Sequence, residues 1–391
     1  MRAVTVSVGF IPLVDAAPLI VAQEMGFAAE EGINLALKPA PSWSSLRDML
    51  SFGQVEAAHM LSPIPVATAL GLGGAGAKLS AVSVLSVNGN VIGVSNALAA
   101  RLHDQGHDFG FNDAYKAGTA LIGAAKGRLR VGVPFPFSMH AELLYYWLSA
   151  LGLPAPQSVD IHTVPPPLMA DAMEAGDIDA FCVGEPWGSQ AVDTGVGQLL
   201  LPGSAIWSCA PEKVLAVRSD WAEQESALMG RLIRAVWRAG RWLGEPDSRM
   251  LTSELLSRPE YLDLPSDMLE RALMGRLVIG PAGEERHVDG FVEFFKGAAT
   301  FPWRSQAEWI GMQLATRMGL DQAMARNVAG GVFRSDLHRQ ALAGTTADLP
   351  GASSKVEGGL EAPMAVASEA GHLILGQNRF FDGRVFDPKG D

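Results

Sequence analysis

Two serine-led junctions carry donors suited to holding a small anion. Ser42-Trp43-Ser44-Ser45 runs into Leu46 and Leu50, and Ser138-Met139-His140 runs into Leu143, Leu144, Trp147 and Leu148. In each, the serine can cap a helix whose apolar residues return every three or four positions. A helix start presents unpaired N–H groups and the positive end of a dipole, so both junctions suit an oxyanion. Pro165-Pro166-Pro167 and Gly184-Glu185-Pro186-Trp187 are stiff turns, each behind an apolar run. Ligands of two-lobed α/β proteins sit where such turns converge.

No catalytic constellation accompanies these donors. The chain has no Gly-Lys-Ser/Thr phosphate loop, Gly-x-Ser-x-Gly elbow or Cys-x-x-Cys pair. Gly71-x-Gly73-x-x-Gly76 spells a dinucleotide fingerprint, but a helical run precedes it and a strand follows. That order is the reverse of what pyrophosphate binding needs, so the segment reads as a loop. His103 and His107 are four apart, yet Gly106 and polar neighbours favour a solvated loop over a metal-binding helix. Cys182 and Cys209 read as unbridged thiols of a reduced compartment. No metal, no cofactor and no enzymatic activity are expected.

Bulk properties narrow the class. The 391 residues, 48% of them hydrophobic, can bury cores for two compact units. With 42 acidic against 30 basic residues, the net charge of −12 opposes the phosphate backbone, so no direct nucleic-acid partner is expected. No apolar stretch approaches the roughly 20 residues that span a bilayer, so no membrane partner is expected either. Met1-Arg2 leads straight into Ala3-Val4-Thr5-Val6 without an apolar h-region or cleavage site, which predicts a cytoplasmic protein.

The elements that must position the donors repeat one unit. Residues 48–58 and 171–181 each read as a helix end, a glycine, an acidic-Ala turn and an apolar strand, predicting two similar α/β lobes. Strands are predicted over 4–10, 78–87, 129–133, 159–164 and 180–183. Residues 88–94 and 214–217 read as the extended segments that leave and re-enter the first lobe. Lobe 1 then comprises 1–92 and 218–391, and lobe 2 comprises 93–217. Beyond the second crossover the chain turns helical, with Leu228, Leu232, Val236 and Leu243 on one face and Trp237 and Trp242 as core or groove filling. Asp220-x-x-Glu223 and Ser305-x-x-Glu308 are capping-box patterns. Residues 343–371 read as an extended surface arm, and Asp382-Gly383 carries a hairpin signal.

Several blocks, in order, resemble the nitrate- and bicarbonate-binding proteins of bacterial ABC transporters. They are residues 9–19 (Gly-Phe-Ile-Pro-Leu-Val-Asp-Ala-Ala-Pro-Leu), Ser42-Trp43, Ala58-His59-Met60-Leu61, Val164-Pro165-Pro166-Pro167, Phe181-Cys182-Val183-Gly184-Glu185-Pro186-Trp187 and Pro211-Glu212-Lys213-Val214-Leu215. Phe333-Arg334-Ser335-Asp336-Leu337 and Phe381-Asp382-Gly383 extend the match to the C-terminus. The chain is most similar to the cytoplasmic branch, the NasS-type nitrate/nitrite sensors. The resemblance implies a periplasmic-binding-protein fold of type II with a helical C-terminal region and the ligand between the lobes. It also implies a protein partner, the RNA-binding antiterminator NasT, held inactive until nitrate or nitrite arrives. A transport receptor and a biosynthetic enzyme on the same fold stand as alternatives.

The family's nitrate site carries over to Trp43, Asn90, His140, Pro166, Gly184 and Lys213. The implied roles are Trp43, His140 and Gly184 as donors, Pro166 as a rigid wall and Lys213 as counter-charge. Asn90 stands where the family usually has a glutamine, and Phe137-Ser138-Met139 replaces the family's Gly-Gly-Thr before the histidine. Glu185 is expected to be structural, because an unpaired carboxylate repels an anion. Nitrate and nitrite only accept hydrogen bonds, so the site should consist of donors, whereas bicarbonate needs an acceptor for its O–H.

Overall fold

The chain forms two lobes, each built on one mixed β-sheet, in a computed structural model that describes residues 3–74 and 76–390. Met1-Arg2, on which the cytoplasmic expectation partly rests, lies outside the described residues. The strands are β1 (Val4–Phe10), β2 (Ile33–Pro39), β3 (Ala57–Leu61), β4 (Leu79–Asn88), β5 (Asn90–Ser95), β6 (Leu129–Val133), β7 (Val159–Thr163), β8 (Ala180–Gly184), β9 (Gly197–Pro202) and β10 (Pro211–Arg218). The first sheet runs β4-β10-β3-β1-β2, extended beyond β4 by the two-residue strand Val292–Glu293, and the second runs β7-β6-β8-β5-β9.

The two sheets share one plan. β1 pairs in parallel with β2 and β3, and β6 pairs in parallel with β7 and β8. Each sheet then receives an antiparallel strand: β10 lies between β3 and β4, and β5 lies between β8 and β9. The repeated sequence unit produces equivalent corners. The helix Trp43–Ser51 ends before Gly53 (φ +71°) and leads to β3, and the helix Met169–Glu174 ends before Gly176 (φ +76°) and leads to β8. β3, β4, β8 and β9 are buried along their whole length, the pattern of strands covered on both faces.

The first crossover falls at Gly89, inside the 88–94 segment read as leaving lobe 1, and the second falls earlier than expected. β5 begins at Asn90, with Gly89 alone between it and the end of β4, and already belongs to the second sheet. β10 belongs to the first sheet, so residues 211–217, assigned above to lobe 2, run in lobe 1. The return connection is 203–210. Val214-Leu215-Ala216-Val217 is apolar because it fills the middle of a sheet, between β3 and β4, rather than because it links two lobes.

The C-terminal region is helical, as expected, led by Ser226–Leu243, whose Leu232, Ile233, Val236 and Leu243 are buried and whose Trp237 packs edge-on against Phe295. Neither capping box forms. Asp220 accepts instead from Arg218 and from the Trp221 N–H, while the Ser305 hydroxyl donates to Glu357 at 2.6 Å and accepts from the Lys355 N–H. Gly71, Gly73 and Gly76 lie in a loop, as read. His107 departs from its solvated reading: it is buried edge-on against Phe109, which His103 also contacts. The two cysteines are free. No group of metal-ligating side chains occurs among the described residues, and no helix among them is long and apolar enough to cross a membrane.

The arm is tied down rather than loose. Glu357 bridges to Phe386, Leu360 to Asn378, and Phe380 to Trp207 in the return connection. Asp382-Gly383 therefore turns the chain between two different partners and makes no hairpin. Asn378 is the knot: its Oδ1 accepts from the Trp207 indole at 2.8 Å and its Nδ2 donates to Glu357 at 2.7 Å, all three buried. Asn378→Ala leaves a buried N–H and a buried carboxylate oxygen without that partner, and each such loss costs about 1–3 kcal/mol. Urea unfolding of this variant is expected to show a stability about 3 kcal/mol lower, with the m-value unchanged.

Candidate functional site

Parallel strands end at the edge where the two lobes meet, and the residues beyond them converge there. From lobe 1 come Asp15 in the one-turn helix Val14–Ala16 behind β1, Trp43 at the start of its helix behind β2, His59 within β3, and Glu212 and Lys213 at the start of β10. From lobe 2 come Asn90 at the start of β5, His140 in the helix Met139–Ala150 behind β6, and Gly184 at the end of β8. Both serine junctions fold as expected. Ser42 Oγ accepts from the Ser45 N–H, Ser138 Oγ accepts from the Ala141 N–H, and these caps set Trp43 and His140 in the first turns.

Lys213 organises the cluster. Its Nζ lies 2.6 Å from Asp15 Oδ2 and 3.0 Å from Glu212 Oε1, and 5.5 Å from the centre of the Trp43 ring. His59 Nε2 lies 2.9 Å from Asp15 Oδ1, and His140 Nδ1 lies 3.2 Å from Glu212 Oε1. Asn90 Nδ2 donates to Glu212 Oε2 at 2.8 Å. None of these side chains is more than 1% exposed.

Burial and charge set the protonation states. Burial pushes Glu212 up to about 7, against the pull of Lys213. Burial opposes ionisation of Asp15 too, but Lys213 and His59 prevail and hold it well below the usual carboxylate range. Burial also works against the Lys213 charge, and the two carboxylates outweigh it, so the ammonium is held above its ordinary value. Burial lowers His59, and burial together with Lys213 lowers His140 well below the ordinary imidazole value, so both rings are neutral at pH 7.

Several of these polar atoms have no aligned hydrogen-bond partner among the described residues: Trp43 Nε1, both ring nitrogens of His59 and of His140, Asp15 Oδ1 and Asn90 Oδ1. Buried polar atoms are rarely left so, and their clustering at one edge marks a place built for a small polar guest. Two glycines make room. A Cβ on Gly184 would stand 3.1 Å from Leu13, 3.6 Å from His140 Nε2 and 3.8 Å from Asp15, and one on Gly203 would collide with Asn90 Oδ1 at 1.7 Å.

The lobes touch beside the cluster. The Val14 N–H donates to the Glu185 carbonyl at 3.0 Å, and the Trp187 indole donates to the Pro12 carbonyl at 2.9 Å. Glu185 has the structural position expected of it: its Oε2 accepts from the Ser189 N–H at the start of the helix Trp187–Asp193, and burial pushes it up to about 7.

Trp43, Asn90, His140, Gly184 and Lys213 are thus brought together. Pro166 is buried behind β7, and its carbonyl is taken by the Met169 N–H of its own turn, so it offers the cluster no hydrogen bond. The expected all-donor character is corrected by two carboxylates, and Lys213 is no free counter-charge because both of them already face it. Asp15, His59 and Glu212 were missed as site residues although each lies in a block quoted above. A buried lysine requires acidic partners, and that was the signal available.

Relatives and solved structures agree with this architecture. The chain is 29% identical over 395 residues to the nitrate/nitrite binding protein NrtA of Nostoc sp., covering 97% of this chain and 82% of that one. It is 31% identical over 317 residues to the nitrate import ATP-binding protein NrtC of Synechocystis sp., covering 81% of this chain but only 46% of that longer relative. The crystal structure of the periplasmic nitrate-binding protein NrtA from Synechocystis PCC 6803 superposes with a TM-score of 0.83 at 27% identity, covering 99% of this chain and 96% of that one. The architecture is therefore the two-lobed periplasmic-binding-protein fold. Residues 2–257 match the NMT1-like family, well over half of the sequence, and the chain belongs to that family.

Proposed function

We propose that this protein binds nitrate or nitrite between its lobes, as the substrate-binding component of an anion import system. The observation that carries the proposal is the buried cluster of Lys213, His59, His140 and the unpartnered Trp43 indole at the lobe boundary. The names of the relatives matched along nearly the whole chain support the choice of ligand.

The chemistry fits a flat oxyanion that only accepts. Trp43 Nε1–H, a histidine N–H from each lobe and the Lys213 ammonium are donors of different reach, and hydrogen bonds to a charged partner contribute about 1.5–3 kcal/mol each. Micromolar affinity needs about 8 kcal/mol, so four such contacts suffice before the costs of closure and desolvation. Donors from both lobes make the anion a bridge. A ligand that bridges favours the form in which Val14 meets Glu185 and Trp187 meets Pro12.

The cytoplasmic sensor reading uses the same closure, with the closed form releasing the antiterminator NasT instead of docking on a permease. The relatives' names favour import. The two readings separate on one measurement: a complex with NasT that dissociates at saturating nitrate, and persists in Lys213→Ala, replaces the import proposal with the sensor.

Titration calorimetry is expected to give binding of nitrate and nitrite and weaker binding of bicarbonate; heat from bicarbonate alone overturns the ligand. Trp43→Phe removes one N–H while keeping the ring, and is expected to weaken nitrate about tenfold, or about 1.4 kcal/mol, with thermal stability unchanged. Lys213→Ala leaves Asp15 and Glu212 buried without their cation. Calorimetry should find no nitrate binding in it, and unfolding should show a loss of about 3–5 kcal/mol.

A further inference from the structure

We infer that anion binding in this cleft takes up one proton, held by the Glu212–His140 pair across the lobe boundary. This inference rests on the nitrate reading and adds a regulation to it.

The first argument is a charge count. One ammonium, Lys213, faces two buried carboxylates, Asp15 and Glu212. With both ionised and His59 and His140 neutral, the cluster carries one negative charge before any anion arrives. Among the described residues the Cys182 thiol of β8 also titrates against it, and burial and Glu212 hold that thiol neutral by raising its pKa. Asn90, on β5, does not titrate. A monoanion would therefore double the negative charge in a place sealed from water, where like charges repel strongly. One added proton cancels that increase.

The second argument is the geometry of the imidazole. His140 Nδ1 lies 3.2 Å from Glu212 Oε1, and Nε2 lies on the Gly184 side, 3.6 Å from where a Cβ would stand on that glycine. A neutral ring has one N–H and one lone pair. The 3.2 Å contact is not an aligned hydrogen bond in this structure; a turn of the ring that aligns it lets an ionised Glu212 draw the ring proton to Nδ1, so that Nε2 presents a lone pair that repels an anion. When Glu212 is protonated, its O–H donates to Nδ1, and the ring must carry its hydrogen on Nε2, where it becomes a donor. The same proton thus removes a charge and turns an acceptor into a donor. Burial already brings Glu212 to about 7, and an anion beside it works in the same direction.

The sign follows. The proton is present below about pH 7 and is lost above it, so affinity is level below that point and falls roughly tenfold per pH unit above it, the slope of one-proton linkage. Calorimetry of the full chain with sodium nitrate, in PIPES and in Tris at matched pH between 6 and 8, reads both the affinity and the proton count. About one proton taken up per nitrate at pH 8 is expected. Glu212→Gln keeps a donor opposite Nδ1 without a titrating group. Its nitrate affinity is expected to be the same at pH 6 and pH 8, with heats independent of buffer. Equal wild-type affinity at pH 6 and pH 8, or a slope that persists in Glu212→Gln and so belongs to another buried carboxyl such as Glu185, overturns the coupling alone. No binding at either pH overturns the nitrate reading and the coupling with it.

Discussion

The arrangement depends on one buried cation shared by two carboxylates. Lys213 cannot be removed without stranding Asp15 and Glu212, and neither carboxylate can be removed without weakening the hold on the ammonium. Buried ion pairs are poor sources of stability but expensive to break. Their value here is placement. Asp15 fixes the first turn behind β1 against the start of β10, and Glu212 reaches across to Asn90 and His140 of the other lobe. The lobes therefore meet here through polar groups, which can exchange a protein partner for water or a ligand at little net cost, as an apolar seam could not.

His140 is braced from behind. Two residues along its helix, Glu142 meets Arg317 of the C-terminal helix Arg304–Met318 at 2.6 Å, and burial holds that carboxyl up at about 7. One turn further, Tyr146 donates to Asp382 at 2.8 Å and packs against Phe380, Phe381 and Trp309. The closing segment, in which Asp382-Gly383 carries only a hairpin signal, thus joins lobe 2 to the helical region and to the return connection at Trp207. A donor on a packed helix keeps its aim better than one on a free loop.

Local patterns in the sequence were legible where one short segment decides the outcome. Ser42 and Ser138 cap their helices because serine, extended backbone and an amphipathic run suffice, and Gly53 and Gly176 end theirs for an equally local reason. The errors share a cause. Ser305 has the cap signature, yet its hydroxyl is claimed by Glu357, 52 residues away. Residues 214–217 have the composition of a crossing strand, but only pairing with β3 and β4 assigns them to lobe 1. Asp15, His59 and Glu212 looked like parts of a resemblance rather than of a site, because what makes them functional is Lys213, brought to Asp15 from 198 positions away.

The same geometry limits what the cleft can hold. Gly184 has Leu13, His140 and Asp15 around the space a methyl group would take, and Gly203 is pressed against Asn90. The main-chain bond from Val14 to Glu185 and the indole bond from Trp187 to Pro12 form only when the lobes are this close. A guest of many heavy atoms has to hold the lobes apart and forfeit those bonds. The backbone seam thus sets how far apart the lobes stand, while the N–H groups of His59, His140 and Trp43 lie on different residues.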